Sequence, residues 1–70
     1  MEILVRERLR ELRREECETQ VQVASDVGIL EQQYQKYERG ASLPGLEIAW
    51  KLADHFGVSI DYLVGRSEER

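Results

Sequence analysis

One cysteine, one histidine and one proline in seventy residues remove several kinds of chemistry at once. Cys17 alone cannot close a disulfide within the chain, so a reducing, cytoplasmic setting is expected. It is also far in sequence from His55, and no second cysteine or histidine exists, so neither a metal centre nor a cofactor is expected. The longest apolar run near the start, Ile3-Leu4-Val5, is far too short for a signal-peptide core or a membrane helix. No phosphate-cradling glycine loop is present, and no nucleophile stands beside a base, which argues against an enzyme. Internal repeats and low-complexity segments are absent. A basic surplus is absent too: the net charge is −4 and the sequence pI about 4.9, the reverse of the usual bulk signature of a nucleic-acid binder.

What is present suffices for one small domain. The hydrophobic fraction of 41% is that of a globular chain. A chain this short buries only about 60% of its unfolded surface. Its stability should be about 3–10 kcal/mol by the usual per-residue range. The domain is expected over residues 1–65, followed by a polar, mobile tail at 66–70. The charges are unevenly spread. Acids gather in Glu15, Glu16 and Glu18 and again in Glu68 and Glu69, whereas between 28 and 45 Glu31 and Glu38 are balanced by Lys36 and Arg39. With Glu38 neutralised inside the fold, that central face would be weakly positive. Any polyanion would be held only weakly there, with a shallow salt dependence.

The stretch Thr19–Gly40 reads as two helices and a tight turn. Thr19 and Gln22 have capping-box spacing. Val23, Ala24 and Val27 share a helical face, and Gly28 stands where a left-handed cap is needed. A second helix, about Glu31 to Arg39, places Tyr34 and Tyr37 inward, with Glu31, Gln32, Gln33, Gln35 and Lys36 as candidates to face out. Gly40 closes it. Around this pair, Val5, Leu9 and Leu12 make an amphipathic helix from about Ile3 to about Glu16. Its arginines and glutamates, Arg13 excepted, form a solvated face. The one clear loop is Ala41-Ser42-Leu43-Pro44-Gly45. Leu46, Ala49, Trp50, Ala53 and Phe56, with Leu52 beside them, predict the apolar face of a fourth helix ending at Gly57. Ser59 caps a short fifth helix containing Ile60, Tyr62, Leu63 and Val64. The fold class is therefore all-α with five helices.

Helix, glycine-containing turn, helix is the helix-turn-helix pattern, whose second helix is the one that enters a major groove. Thr19-Gln20, Ala24, Gly28 and Tyr37-Glu38-Arg39-Gly40 resemble the lambda repressor-like family, the Cro or xenobiotic-response-element type. The resemblance runs in register from about Val5 to about Gly65. It implies that Arg13 pairs with Glu38 as a structural ion pair. It implies base reading by Glu31, Gln32 and Lys36, with Gln33 at the margin. It implies phosphate contacts by Gln20 at the start of the second helix and by backbone N–H groups of Gly40, Ala41 and Ser42; Arg39 is expected to hold a phosphate by its position at the end of the third helix, where the backbone would pass. Glutamine suits adenine and lysine suits guanine or a phosphate. Glu31 would accept from cytosine N4 or exclude phosphate.

Four positions depart from the family pattern. Cys17 stands where glycine or asparagine is usual and is expected to be a small, partly buried filler. Glu18 replaces an apolar residue. Leu30 replaces a capping serine or threonine, so either it packs against a partner or a thymine methyl, or the third helix begins poorly. Glu31 is unusual as a base reader. The reading that follows is a sequence-specific regulator of double-stranded, pseudo-palindromic DNA, a repressor, acting as a homodimer through Tyr62, Leu63 and Val64. Its rival is a protein-interaction module of the same fold, antitoxin-like or regulator-binding, with little DNA affinity.

Overall fold

A computed structural model describes residues 3–70; the first two residues of the expected domain lie outside it. Five helices follow in order: α1 (Val5–Glu15), α2 (Gln20–Val27), α3 (Glu31–Arg39), α4 (Leu46–Phe56) and α5 (Ile60–Val64). No strand occurs among the described residues. α1 packs on α3 and α5, α2 on α3 and α4, and α4 on α5. The buried centre is Leu9, Val23, Tyr34, Leu52 and Leu63, one residue from each helix. At about 25 cal/mol per Å² of apolar surface, each such side chain contributes on the order of 1.5–3 kcal/mol.

The starts and stops are local. Thr19 accepts from the Gln22 amide at 3.1 Å, and the Gln22 carboxamide accepts from the Thr19 amide at 2.8 Å, so α2 opens on a complete capping box. Ser59 does half of this for α5, accepting from the Tyr62 amide at 3.0 Å. Each helix ends in the same way, with one left-handed residue whose successor donates back to the carbonyl five positions earlier. Gly28, Gly40, Gly57 and Gly65 supply that residue for α2 to α5. At the end of α1 it is Cys17, at φ 55, and the Glu18 amide closes on the Arg13 carbonyl at 3.1 Å.

Cys17 is therefore no buried filler. It is exposed, and a Cβ is held where L-residues cost about 1–2 kcal/mol. Cys17→Gly should recover about 1 kcal/mol, less the added unfolded-state entropy of glycine. A rise of a few degrees in thermal midpoint checks it, and a fall would show that the Cys17 side chain contributes more than its backbone costs.

Three expectations about packing are corrected. In α4 the buried stripe is Ala49, Leu52, Ala53 and Phe56, and Leu46 (73% exposed) and Trp50 (60%) point outward. At about 100° per residue these two lie roughly 70–110° from the centre of that stripe, beyond its edge. Arg8 is not part of a solvated face. It is buried between Val5 and Leu12, with its guanidinium 3.9 Å over the Tyr62 ring and a hydrogen bond to the Glu68 carboxylate at 3.3 Å. Nor is the polar tail loose. The Arg70 carbonyl accepts from the Ser59 amide at 2.8 Å, and the Arg70 guanidinium bonds Glu15 at 2.7 Å.

Candidate nucleic-acid interface

The third helix is set in place by one carboxylate. Glu38 is only 3% exposed and lies where α1, α2 and α3 meet. Arg13 grips it with both arms of the guanidinium, Nε to Oε2 at 2.7 Å and Nη2 to Oε1 at 3.1 Å. Gln20 donates to Oε1 at 3.2 Å from the first turn of α2. Arg10, expected in solvent, donates to the Glu38 carbonyl at 2.8 Å. Arg13 also caps the α1–α2 junction through the Glu18 carbonyl at 3.1 Å. A planar guanidinium fits a carboxylate in this two-point way, which fixes orientation as well as distance. Burial pushes the Glu38 carboxyl up. The hydrogen bonds from Arg13 and Gln20, with the Tyr34 hydroxyl close by, outweigh that and hold it below its ordinary value. Tyr34 is fully buried beside this cluster, with no well-aligned hydrogen-bond partner for its hydroxyl. Burial first, and then the adjacent Glu38 carboxylate, push its phenol far up, so it stays neutral.

This hub leaves the opposite face of α3 clear. Glu31, Gln32, Gln33 and Lys36 are all exposed there. Gln33 donates to the Tyr37 hydroxyl at 2.8 Å, which turns it toward the body of the domain, and Gln35 donates to Glu31 at 3.4 Å. The side chains of Gln32 and Lys36, four positions apart, have no such partner among the described residues and lie one turn apart on one side of the helix. Arg39 is exposed at the last turn.

Four phosphate candidates are placed differently from expectation. The Gln20 carboxamide is engaged with Glu38, so its first role is to join α2 to α3. The backbone N–H groups of Gly40 and Ala41 are spent on the Tyr37 and Lys36 carbonyls at 3.3 and 2.9 Å, and Ser42 shares the Lys36 carbonyl at 3.4 Å. Closing the helix end uses the donors that a phosphate would need. The Ser42 side chain and the Arg39 guanidinium remain on the exposed surface. Gly40 has a second constraint besides its φ of 76: a Cβ there would meet Arg6 Cδ at 2.9 Å.

Leu30 stands at the N-cap of α3 with no side-chain cap and is 72% exposed. Most of its side chain lies in solvent. Leu30→Ser should therefore stabilise the domain by about 0.5–2 kcal/mol, read as a higher thermal midpoint. If stability rises while DNA affinity falls, Leu30 is kept for contact with a base methyl. If both rise, it has no such role.

Tyr62 and Leu63 are enclosed in the core, so they cannot offer a dimer surface; of the three residues named for it, Val64 alone is partly exposed. The fold also brings His55, remote in sequence, between two carboxylates. Nε2 is 2.8 Å from Glu18 and Nδ1 is 3.8 Å from Asp26. These are the described residues whose ligand atoms come close enough to share a cation, within 4.8 Å of one another. The arrangement also satisfies itself, pinning the α1–α2 junction to α4. No described helix is long and apolar enough to cross a membrane.

Comparison with known proteins places this geometry. The chain is 44% identical over 62 residues to the cryptic phage CTXphi transcriptional repressor RstR of Vibrio cholerae, covering 89% of this chain and 55% of that protein. It is 40% identical over 58 residues to an SPbeta prophage-derived helix-turn-helix transcriptional regulator, YonR, of Bacillus subtilis, covering 83% and 54%. The chain thus spans about half the length of the curated relatives it matches. Among solved structures, a transcriptional regulator from Listeria innocua superposes with a TM-score of 0.89 at 28% identity, over all of this chain and 65% of that one. The DNA-binding domain of the P22 c2 repressor superposes with a TM-score of 0.82 at 26% identity, over 94% of this chain and 90% of that one. The helix-turn-helix family model matches residues 9–63, from the middle of α1 to near the end of α5, and the chain belongs to that family in its Cro/C1-type form.

Proposed function

We propose that this chain is the DNA-binding part of a transcriptional repressor and reads the major groove with α3. The observation that carries the reading is the division of α3: Tyr34, Tyr37 and Glu38 are consumed by the core and the Arg13 hub, while Gln32 and Lys36 are presented side by side with no hydrogen-bond partner among the described residues. Its relatives are named as repressors and regulators, and a solved neighbour as a repressor's DNA-binding domain.

In this reading Gln32 pairs with adenine N6 and N7, Lys36 approaches guanine O6/N7, and Glu31 accepts from cytosine N4 or keeps phosphate away. Gln33 sits at the margin, restrained by Tyr37. Arg39 and the Ser42 hydroxyl hold the backbone. Gln20 acts there through the N-terminus of α2, whose N–H groups and dipole favour an anion. One such helix reads too few base pairs for useful selectivity, so two copies bind a pseudo-palindrome with half-sites about one helical turn, roughly 34–36 Å, apart. Few phosphates are neutralised and the net charge is −4, so specificity rests on base contacts more than on general attraction.

Selection from random duplex DNA with the purified chain, at low and at physiological salt, tests this. An enriched inverted repeat is the expected result. No enrichment at either salt rejects DNA reading and leaves a protein-interaction module of the same fold.

A further inference from the structure

We propose that the outer face of α4, centred on Leu46 and Trp50, pairs with the same face of a second copy of this chain, antiparallel across a two-fold axis; this deepens the two-copy reading of DNA given above. Leu46 and Trp50 are the two most outward apolar side chains of a helix whose other apolar residues are wholly or partly buried. They are not scattered. Leu46, Glu47, Trp50, Lys51 and Asp54 line one shallow hollow along α4. On the other flank an apolar cleft of about 330 Å³ is lined by Ile3, Leu43, Pro44, Ala49 and Val64 among others. Ile3 and Leu43 are themselves more than half exposed. An apolar surface of this extent on so small a domain marks a place of association.

The charge pattern selects the occupant. Glu47 and Lys51 stand four apart, their charged atoms at 3.4 Å, on the line next to Leu46 and Trp50, which are also four apart. In an isologous antiparallel pairing about an axis level with residues 48 and 49, positions summing to 97 come level, so 46 of one copy lies within one residue of 50 of the other, and 47 within one residue of 51. Leu46 then covers Trp50, Glu47 faces Lys51, and the two-fold repeats both contacts. No like charges are opposed in that register. A nucleic acid is a poor alternative occupant, because Glu47 and Asp54 outnumber Lys51 around the tryptophan. The face is small against the roughly 800 Å² per partner of a standard interface. The free dimer is therefore weak, and two adjacent half-sites supply the effective concentration that completes it.

Trp50 is the sole tryptophan, so its emission reports the face directly. For the intact chain without DNA, sedimentation and Trp50 emission from micromolar to millimolar concentration should show a monomer–dimer equilibrium with a blue shift. Leu46→Gln should stay monomeric and unshifted with unchanged helical circular dichroism, since the side chain is exposed. Glu47→Lys and Lys51→Glu should each weaken dimerisation, and the double exchange should restore it. On duplex DNA, Leu46→Gln should lose about tenfold or more in affinity for two half-sites while keeping its affinity for one. A wild-type chain that stays monomeric at millimolar concentration, or a double exchange that fails to restore pairing, overturns the inference. Self-association is read without DNA, so that outcome is separate from a failed duplex selection, which strikes only at the DNA reading.

Discussion

Glu38→Ala should leave the protein largely unfolded at room temperature. Removing one partner of a buried pair costs about 3–5 kcal/mol, because the other charge is left in place without its counter-charge. Here the carboxylate serves more than one partner: Arg13 in two hydrogen bonds and Gln20 in a third, beside the Tyr34 hydroxyl. The whole domain has only about 3–10 kcal/mol to lose. Glu38→Gln keeps the volume and one acceptor oxygen, so it should fall between the parent and the alanine variant. The pair also sets a pH dependence. The Glu38 carboxyl is held below its ordinary value of 4.5 in the fold, so the ionised form is the one the fold favours. Its stabilisation is complete above that value and is lost as pH falls through the lowered folded value. Thermal melts taken downward from neutral pH should therefore show the parent losing stability below about pH 4.5, and Glu38→Gln, already weaker, losing less. A Glu38→Ala midpoint within a degree or two of the parent would mean that the pair carries no net stability.

Much of this architecture was legible because its signals are local. The Thr19–Gln22 box, the Ser59 cap and the glycines closing four helices act within a few residues of themselves, and they stand where the spacing places them. The Tyr34 and Tyr37 positions follow from period alone. What was not legible depends on the rest of the fold. Arg8 occupies the apolar stripe by spacing, three after Val5 and four before Leu12, and its residue type argued for solvent. The Tyr62 ring and the folded-back tail supply the surroundings that make its burial affordable. Leu46 and Trp50 fit an apolar pattern as well as Leu52 does. Only the direction from which α2 and α5 meet α4 decides which flank is covered. The site shows the same division. That Gln32 and Lys36 share a face follows from helical geometry. That Gln20 is drawn to Glu38, and that the Gly40 and Ala41 amides are consumed by the helix end, requires the neighbouring chain in place.

Gln32→Ala and Arg39→Ala should damage DNA binding in two different ways, because in the proposed mode one side chain stands at the groove-reading end of α3 and the other at its last turn. Gln32 is in the first turn, exposed and without a hydrogen-bond partner among the described residues, so its loss should remove the proposed base contacts and leave the hub around Glu38 intact. Affinity for the selected site should fall by about 1–3 kcal/mol, and preference should relax at one or two base positions. Lys36→Ala should do the same one turn along the groove. Arg39 is exposed beside the Gly40 turn, where the backbone would pass. Its removal should weaken binding to all sequences alike and lower the slope of affinity against salt by about one unit. Glu31→Ala separates its two roles. Loss of discrimination at one position means that Glu31 accepts from cytosine, and a gain in affinity for every sequence means that it only repels phosphate. All four side chains are exposed, so thermal midpoints should stay near that of the parent and a binding defect will not be a folding defect. Unchanged affinity and unchanged preference in both Gln32→Ala and Lys36→Ala would mean that this face of α3 does not meet DNA.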